Sequence, residues 1–237
     1  WVAGAVNCAL NQTVTPLEVI VVDDCSTDDI DGAMAEFSGN PLVKYQKLPE
    51  NIGNIRANNI GLSQAQGTFL VNMAADDRVE PNFIEKALTE FRFNPWLEFV
   101  SSQCDFITDT GETITPEMMA ASPTYSAFMN IPIARNFSRK EWIANLYGGN
   151  WYFGVGMYRV DALRDFGGWK KSCGVIADYE MYLALLQHKP VIIWDPNCQY
   201  RLAGFRPHAV PEVGDWIATT GNGILVVRPE GNLESQF

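Results

Sequence analysis

An apolar, β-branched run that stops at two adjacent carboxylates occurs twice in this chain, and it constrains the fold more than any other feature. Val19-Ile20-Val21-Val22 runs into Asp23-Asp24, and Thr68-Phe69-Leu70-Val71 leads into Ala74-Ala75-Asp76-Asp77. Short continuous apolar runs of this kind are strands buried on both faces, as in a parallel sheet covered by helices. What lies between them fits. Residues 54–66 carry Ile55, Asn59, Leu62 and Ala65 at helical spacing and end at Gly67. Pro81 opens another predicted helix, to about Phe93. A short strand is predicted over residues 42–45. Ser26 or Thr27 can cap a helix whose first turn is acidic. Strands alternating with helices predict an α/β fold with a parallel sheet. Such sheets bind ligands outside the carboxyl ends of their strands, which is where both acidic pairs fall.

The second half is less regular. Residues 97–106 and 191–194 read as strands, and residues 178–188 as a helix with Tyr179, Tyr182, Leu183 and Leu186 on one side. Residues 108–139 show no clean period and read as an excursion or lid. Residues 151–160 are aromatic-rich and punctuated by glycine. Neither internal repeats nor low-complexity tracts appear.

Composition narrows the function. Over 237 residues, 17 Lys and Arg face 28 Asp and Glu, a formal charge of −11. That balance disfavours a nucleic-acid partner, which needs clustered basic residues. No apolar run approaches the ~18 residues that span a bilayer, so no transmembrane segment is expected. The residues from Trp1 onward show no charged n-region, so no signal peptide is expected within this stretch. Cys8, Cys25, Cys104, Cys173 and Cys198 are odd in number and form no CxxC, which points to scattered thiols in a reducing, cytoplasmic setting. His188 and His208, the two histidines, make a Ser-His-Asp triad or a His-rich metal site a poor fit.

Carboxylates at a sheet edge can accept hydrogen bonds from a base or ribose, or hold a hard divalent cation that binds phosphate oxygens. For Asp23-Asp24, turn and cap chemistry is an equal reading. Asp76-Asp77 is harder to explain that way, because adjacent carboxylates repel unless something positive sits near them.

These residues resemble the family 2 nucleotide-sugar glycosyltransferases. Val21-Val22-Asp23-Asp24-Cys25-Ser26-Thr27-Asp28 is similar to that family's second-strand signature. Asn51-Ile52-Gly53, Ala57-Asn58-Asn59-Ile60-Gly61 and Ala65-Gln66-Gly67 resemble its next helix. Asp76-Asp77 followed by Pro81 falls at its Asp-x-Asp metal motif. Gly167-Gly168-Trp169 resembles the acceptor-side glycine pair, Ala177-Asp178-Tyr179-Glu180 the catalytic-base helix, and Tyr200-Arg201 the terminal Tyr-Arg element. The matches span most of residues 5–204, in the correct order.

The resemblance implies a GT-A-like, Rossmann-type, mostly parallel sheet flanked by helices, with an acceptor-side extension. The implied activity is inverting transfer from a nucleotide-diphosphate sugar, a UDP-sugar being favoured, to a glycan or other hydroxyl acceptor. By the same resemblance Asp24 bonds the nucleobase with Asp23 nearby, and Asn51 belongs to the donor nucleotide site. Asp77 with Asp76 binds Mn²⁺ or Mg²⁺ and the donor diphosphate, and Asp178 is the general base. Arg56 is a candidate diphosphate contact, although a solvated helix charge is the simpler reading. Trp151 and Trp169, with Glu180, are candidates for the acceptor side; core packing explains the two indoles equally well. The chain departs from the family pattern at Ala74, Ala177 and Ala203, where it usually carries Asp, an acid and His. A catalytically idle sugar-nucleotide or glycan-binding module on the same fold is the alternative.

Residues 1–13 resemble the family's first helix, without the strand that should precede it. Residues 224–232 (Ile-Leu-Val-Val-Arg-Pro-Glu-Gly-Asn) resemble that strand and its Pro-x-x-Asn loop. A circularly permuted domain, or a rearranged or cut chain, is the resulting expectation, and on the permuted reading Pro229 and Glu230 line the nucleotide pocket; an unrelated final strand is the other reading. One domain is expected over 1–237. In it, residues 1–106 and 224–237 form the nucleotide-sugar half and residues 107–223 the acceptor half.

Overall fold

A computed structural model describes residues 1–121, 140, 155–170, 181, 191–201 and 226–229. Along the chain lie α1 (Val2–Leu10), β1 (Pro16–Asp23), α2 (Ile30–Met34) with a 3-10 turn (Ala35–Phe37), and β2 (Val43–Lys47). Then come α3 (Asn54–Gln64), β3 (Phe69–Asn72), β4 (Arg78–Val79), α4 (Phe83–Phe93), β5 (Phe99–Ile107) and α5 (Pro116–Ala121). The described elements close with β6 (Gly156–Arg159), α6 (Val160–Phe166), β7 (Val191–Arg201) and β8 (Val226–Pro229). The expected helix at 178–188 lies outside the described residues apart from Met181.

Strands order as β2-β1-β8 and as β3-β6-β5-β7-β4. β1 runs parallel to β2, from Val19 opposite Val43 to Asp23 opposite Lys47. β5 runs parallel to β7, while β6 opposes both β3 and β5, and β4 opposes β7. Hence β3, β5 and β7 share one direction, and β4 and β6 run against it. This ladder is more mixed than the strand–helix alternation suggests, because β4 follows β3 with no helix between them and runs against it, and β6 inserts antiparallel between β3 and β5. β8 pairs antiparallel with β1, Val227 opposite Val19, and also neighbours β3.

Alternation along the strands explains the layering. Successive strand side chains point to opposite faces. Val19, Val21, Phe69, Val71 and Met157 join one buried cluster with Val2 and Val6 of α1 and Phe83, Ile84 and Phe91 of α4. Ile20, Val22, Leu70, Phe99 and Tyr158 join a second cluster with Ala57 and Leu62 of α3 and Leu163 of α6. The strands thus form a layer with helices on both faces. Each fully buried aliphatic or aromatic side chain contributes about 1.5–3 kcal/mol relative to exposure.

Two local details matter for the site. The cap of α2 is Asp29, whose carboxylate accepts from the Gly32 N–H at 2.9 Å, rather than Ser26 or Thr27. A charged acceptor one residue before the helix takes that role, and the Ser26 N–H bonds Asp23 instead. At the end of α1, Gln12 is buried and its amide nitrogen donates to the carbonyls of Cys8 (3.1 Å) and Glu80 (2.8 Å). Its oxygen accepts from the Ile84 N–H at 3.1 Å, one of the first-turn donors that α4 cannot satisfy itself.

Candidate functional site

β1 delivers Asp23 and Asp24 at its carboxyl end, and both are buried. Asp23 Oδ1 accepts from the Ser26 N–H at 2.8 Å, and its Oδ2 lies 3.1 Å from the Tyr45 hydroxyl. The same hydroxyl is 2.8 Å from Asp31 Oδ1, and Lys47 Nζ donates to Asp31 Oδ2 at 2.6 Å. One phenolic proton therefore stands between two carboxylates. Burial, with Asp31 and Asp23 beside it, pushes the Tyr45 hydroxyl well above its ordinary range. The hydrogen bonds from Lys47 and Tyr45 hold the Asp31 carboxyl below its usual value, and Asp31 raises Lys47 in return.

Asp24 is fully buried and anchors the next loop. Its Oδ1 accepts from the Ile52 N–H at 2.7 Å and its Oδ2 from the Gly53 N–H at 2.8 Å. A carboxylate offers about four lone-pair sites, so each oxygen keeps one after this. Asn51 Oδ1 also accepts from the Gly53 N–H, at 3.2 Å. α3 starts one residue later, and Arg56 is exposed in its first turn.

β3 leads into the second acidic pair. Asp76 and Asp77 are buried, and the Asp77 N–H closes a turn on the Ala74 carbonyl at 3.2 Å before the chain returns along β4. Among the described residues no three His, Cys, Asp or Glu side chains gather as a metal cage. Two carboxylates from one turn nevertheless fit a divalent ion, since Mg²⁺ ordinarily takes one or two carboxylates and completes its shell with water and phosphate oxygens.

α6 ends at Gly167 (φ +87°), and Gly168 (φ +70°) follows. The Asn59 side chain then pairs with the Trp169 backbone in both directions, and Arg164 Nη2 donates to the Leu62 (3.1 Å) and Ala65 (2.6 Å) carbonyls at the end of α3. The glycine pair is thereby tied to α3, the helix that begins beside Asp24. Trp169 itself is 2% exposed and belongs to the second core cluster. This corrects the expectation that its ring stacks on an acceptor sugar: a buried indole has no free face, and the core gains its large apolar area. Asp178, Glu180, Trp151 and Glu230 lie outside the described residues. Pro229 ends β8 opposite Pro16, at the end of β1 away from Asp23 and Asp24; this corrects the expectation that Pro229 lines the nucleotide pocket, because β8 runs antiparallel to β1. The Tyr45 and Asn59 interactions were not legible in advance, because neither side chain departs from the periodicity of its element.

The glycosyl transferase family 2 sequence profile matches residues 1–161, and the chain belongs to that family. It is 29% identical over 191 residues to the chondroitin synthase of Escherichia coli, a match covering 80% of this chain and 25% of that protein. The chain thus spans about a quarter of that relative's length. Among solved structures, Staphylococcus aureus TarS 1–349 in complex with UDP-GlcNAc superposes with a TM-score of 0.60 at 16% identity, covering 90% of this chain and 58% of that one. The mannosyltransferase PcManGT of Pyrobaculum calidifontis, in complex with GDP-Man and Mn²⁺, gives a TM-score of 0.55 at 17% identity, covering 89% and 53%. The fold is of the GT-A glycosyltransferase type.

Proposed function

We propose that this chain carries an inverting glycosyltransferase site that moves a sugar from a nucleotide-diphosphate donor, a UDP-sugar being favoured, to an acceptor hydroxyl. The observation that carries the reading is the pair of buried carboxylate sites at the ends of β1 and β3 in a family 2 chain. Such buried charges are retained where they meet partners. The nucleoside is assigned to Asp23, Asp24 and Asn51, and the diphosphate to Asp76 and Asp77 with help from Arg56. Pro229 is left out of this pocket, because β8 runs antiparallel to β1 and ends with Pro229 opposite Pro16, at the end of β1 away from Asp23 and Asp24. TarS and PcManGT, of like fold, were solved with UDP-GlcNAc and with GDP-Man and Mn²⁺.

In the proposed reaction the acceptor oxygen attacks the anomeric carbon from the face opposite the nucleotide. A C–O bond forms there, the bond to the diphosphate oxygen breaks, and the nucleoside diphosphate leaves. Asp178 takes the acceptor proton, as a general base set apart from the leaving group. Mn²⁺ or Mg²⁺ held by Asp77 and Asp76 would neutralise charge developing on the departing diphosphate. Glu180 and Trp151 are assigned to the acceptor side.

A thermal-shift series with UDP-, GDP- and dTDP-sugars, with and without Mn²⁺, tests donor class, because a ligand that binds only the folded state raises its stability. Asp178→Asn is expected to abolish transfer while sparing donor binding. Unchanged turnover in that variant removes Asp178 as base. Donor binding without any turnover by the unaltered chain identifies a sugar-nucleotide-binding module.

A further inference from the structure

On the face of the sheet that carries the second core cluster, Leu70, Tyr158 and Phe99 sit opposite one another on β3, β6 and β5. Two residues further along β3, at its carboxyl end, the next row on that face is Asn72, Gly156 and Ser101. The apolar row gives way to a polar one just before the turn that bears Asp76-Asp77. Gly156 leaves space in that row, and the Tyr158 side chain leans into it: a Cβ on Gly156 would come within 2.9 Å of the phenol oxygen. Three polar groups therefore share one short stretch of sheet.

Ser101 is the telling member. It is 1% exposed, and its hydroxyl has no hydrogen-bond partner in the protein. Burying an unsatisfied hydroxyl destabilises the fold, and alanine would fit the same position without that cost. Groups left in this condition call for a reason. A ligand that supplies the missing bond is one, and Asn72, in the same row, stands at the carboxyl end of β3, the end at which open α/β sheets take ligands.

We propose that Ser101 and Asn72, with the Tyr158 hydroxyl between them over Gly156, form a polar strip that reads the hydroxyl or acylamino groups of the donor's hexose. The proposal rests on the nucleotide-sugar reading above. It gives Ser101 and Asn72 a selectivity role separate from nucleoside, diphosphate and base.

The test is calorimetric titration of the purified chain, with Mn²⁺, using UDP and a panel of UDP-hexoses that includes UDP-GlcNAc. Ser101→Ala is expected to leave UDP affinity within about twofold. It should weaken the most tightly bound UDP-hexose about 5- to 10-fold, the loss of one hydrogen bond. The same variant without ligand should melt about 2–4 °C higher, since it sheds an unsatisfied buried group. Asn72→Ala should reproduce the affinity change without that rise, because Asn72 is half-exposed. Intact UDP binding with unchanged UDP-hexose affinity in both variants overturns the strip alone. Failure of the unaltered chain to bind UDP or any UDP-hexose overturns the strip and the donor reading together.

Discussion

The side-chain amide of Asn59 and the backbone of Trp169, 110 residues apart, hold each other through two hydrogen bonds: Nδ2 donates to the Trp169 carbonyl at 2.8 Å, and the Trp169 N–H donates to Oδ1 at 2.9 Å. The amide acts as a substitute peptide group, satisfying a loop that has no strand beside it. Gly168 makes the approach feasible, because a Cβ there would lie against Asn59 Oδ1 and the backbone φ is +70°. Asn59→Ala leaves a partly buried donor and acceptor unpaired and should cost about 2–4 kcal/mol. Gly168→Ala should cost a similar amount through collision and strain. The two changes share one contact, so the double variant should lose less than their sum by about 1–2 kcal/mol. Urea midpoints for the four proteins measure this, and additive losses refute the coupling.

Gln12 plays the same part between α1 and α4. Its amide makes three backbone bonds, to Cys8, Glu80 and Ile84, in a site 7% exposed. Gln12→Ala should cost about 2–4 kcal/mol by stranding those groups and leaving a small void. Gln12→Glu should not restore the stability, since its carboxylate cannot donate to the Cys8 and Glu80 carbonyls. A glutamate variant as stable as the unaltered chain at neutral pH would show that the amide donors are dispensable.

Cys25 follows Asp24 with φ +61°, a left-handed conformation that a side chain disfavours. The cost of that region is roughly 1–2 kcal/mol for an L-residue, against about 0.5–1 kcal/mol of extra chain entropy lost by glycine. Cys25→Gly should therefore stabilise the fold by up to about 1 kcal/mol, read as a rise in the denaturation midpoint. A lower midpoint would mean that the thiol's contact with the Pro49 carbonyl, 3.9 Å away, outweighs the strain.

How much of this could be read beforehand depends on how local its cause is. The strands at 19–22 and 69–71 and the helices near 54 and 83 follow from runs and periods a few residues long, and the structure has each of them. The acidic pairs were visible because charge at the end of an apolar run breaks a pattern. Antiparallel insertion of β6 between β3 and β5 was not visible, since register depends on pairing across distant segments. The burial of Trp169 hangs on Asn59, which no window around residue 169 contains. Ser101 was equally silent: a serine in a strand is ordinary until its burial and its missing partner are known.

Tyr45 offers the sharpest pH test. Its hydroxyl is held well above its ordinary value, first by burial and then by Asp31 and Asp23. The folded chain keeps that proton where the unfolded chain releases it near pH 10. The resulting stability is fully present below about pH 10 and lost as pH rises from there towards the folded value. Lys47 is raised by Asp31 and acts in the same direction, its share fading above about pH 10.4. Tyr45→Phe loses the phenol's bonds, so it should be less stable at pH 8, and the gap to the unaltered protein should narrow between pH 10 and 11.5. Urea midpoints at those pH values measure the gap, and absorbance near 295 nm should show one tyrosine titrating only as the chain unfolds. A constant gap across that range would mean that the Tyr45 proton is not shared between the two carboxylates.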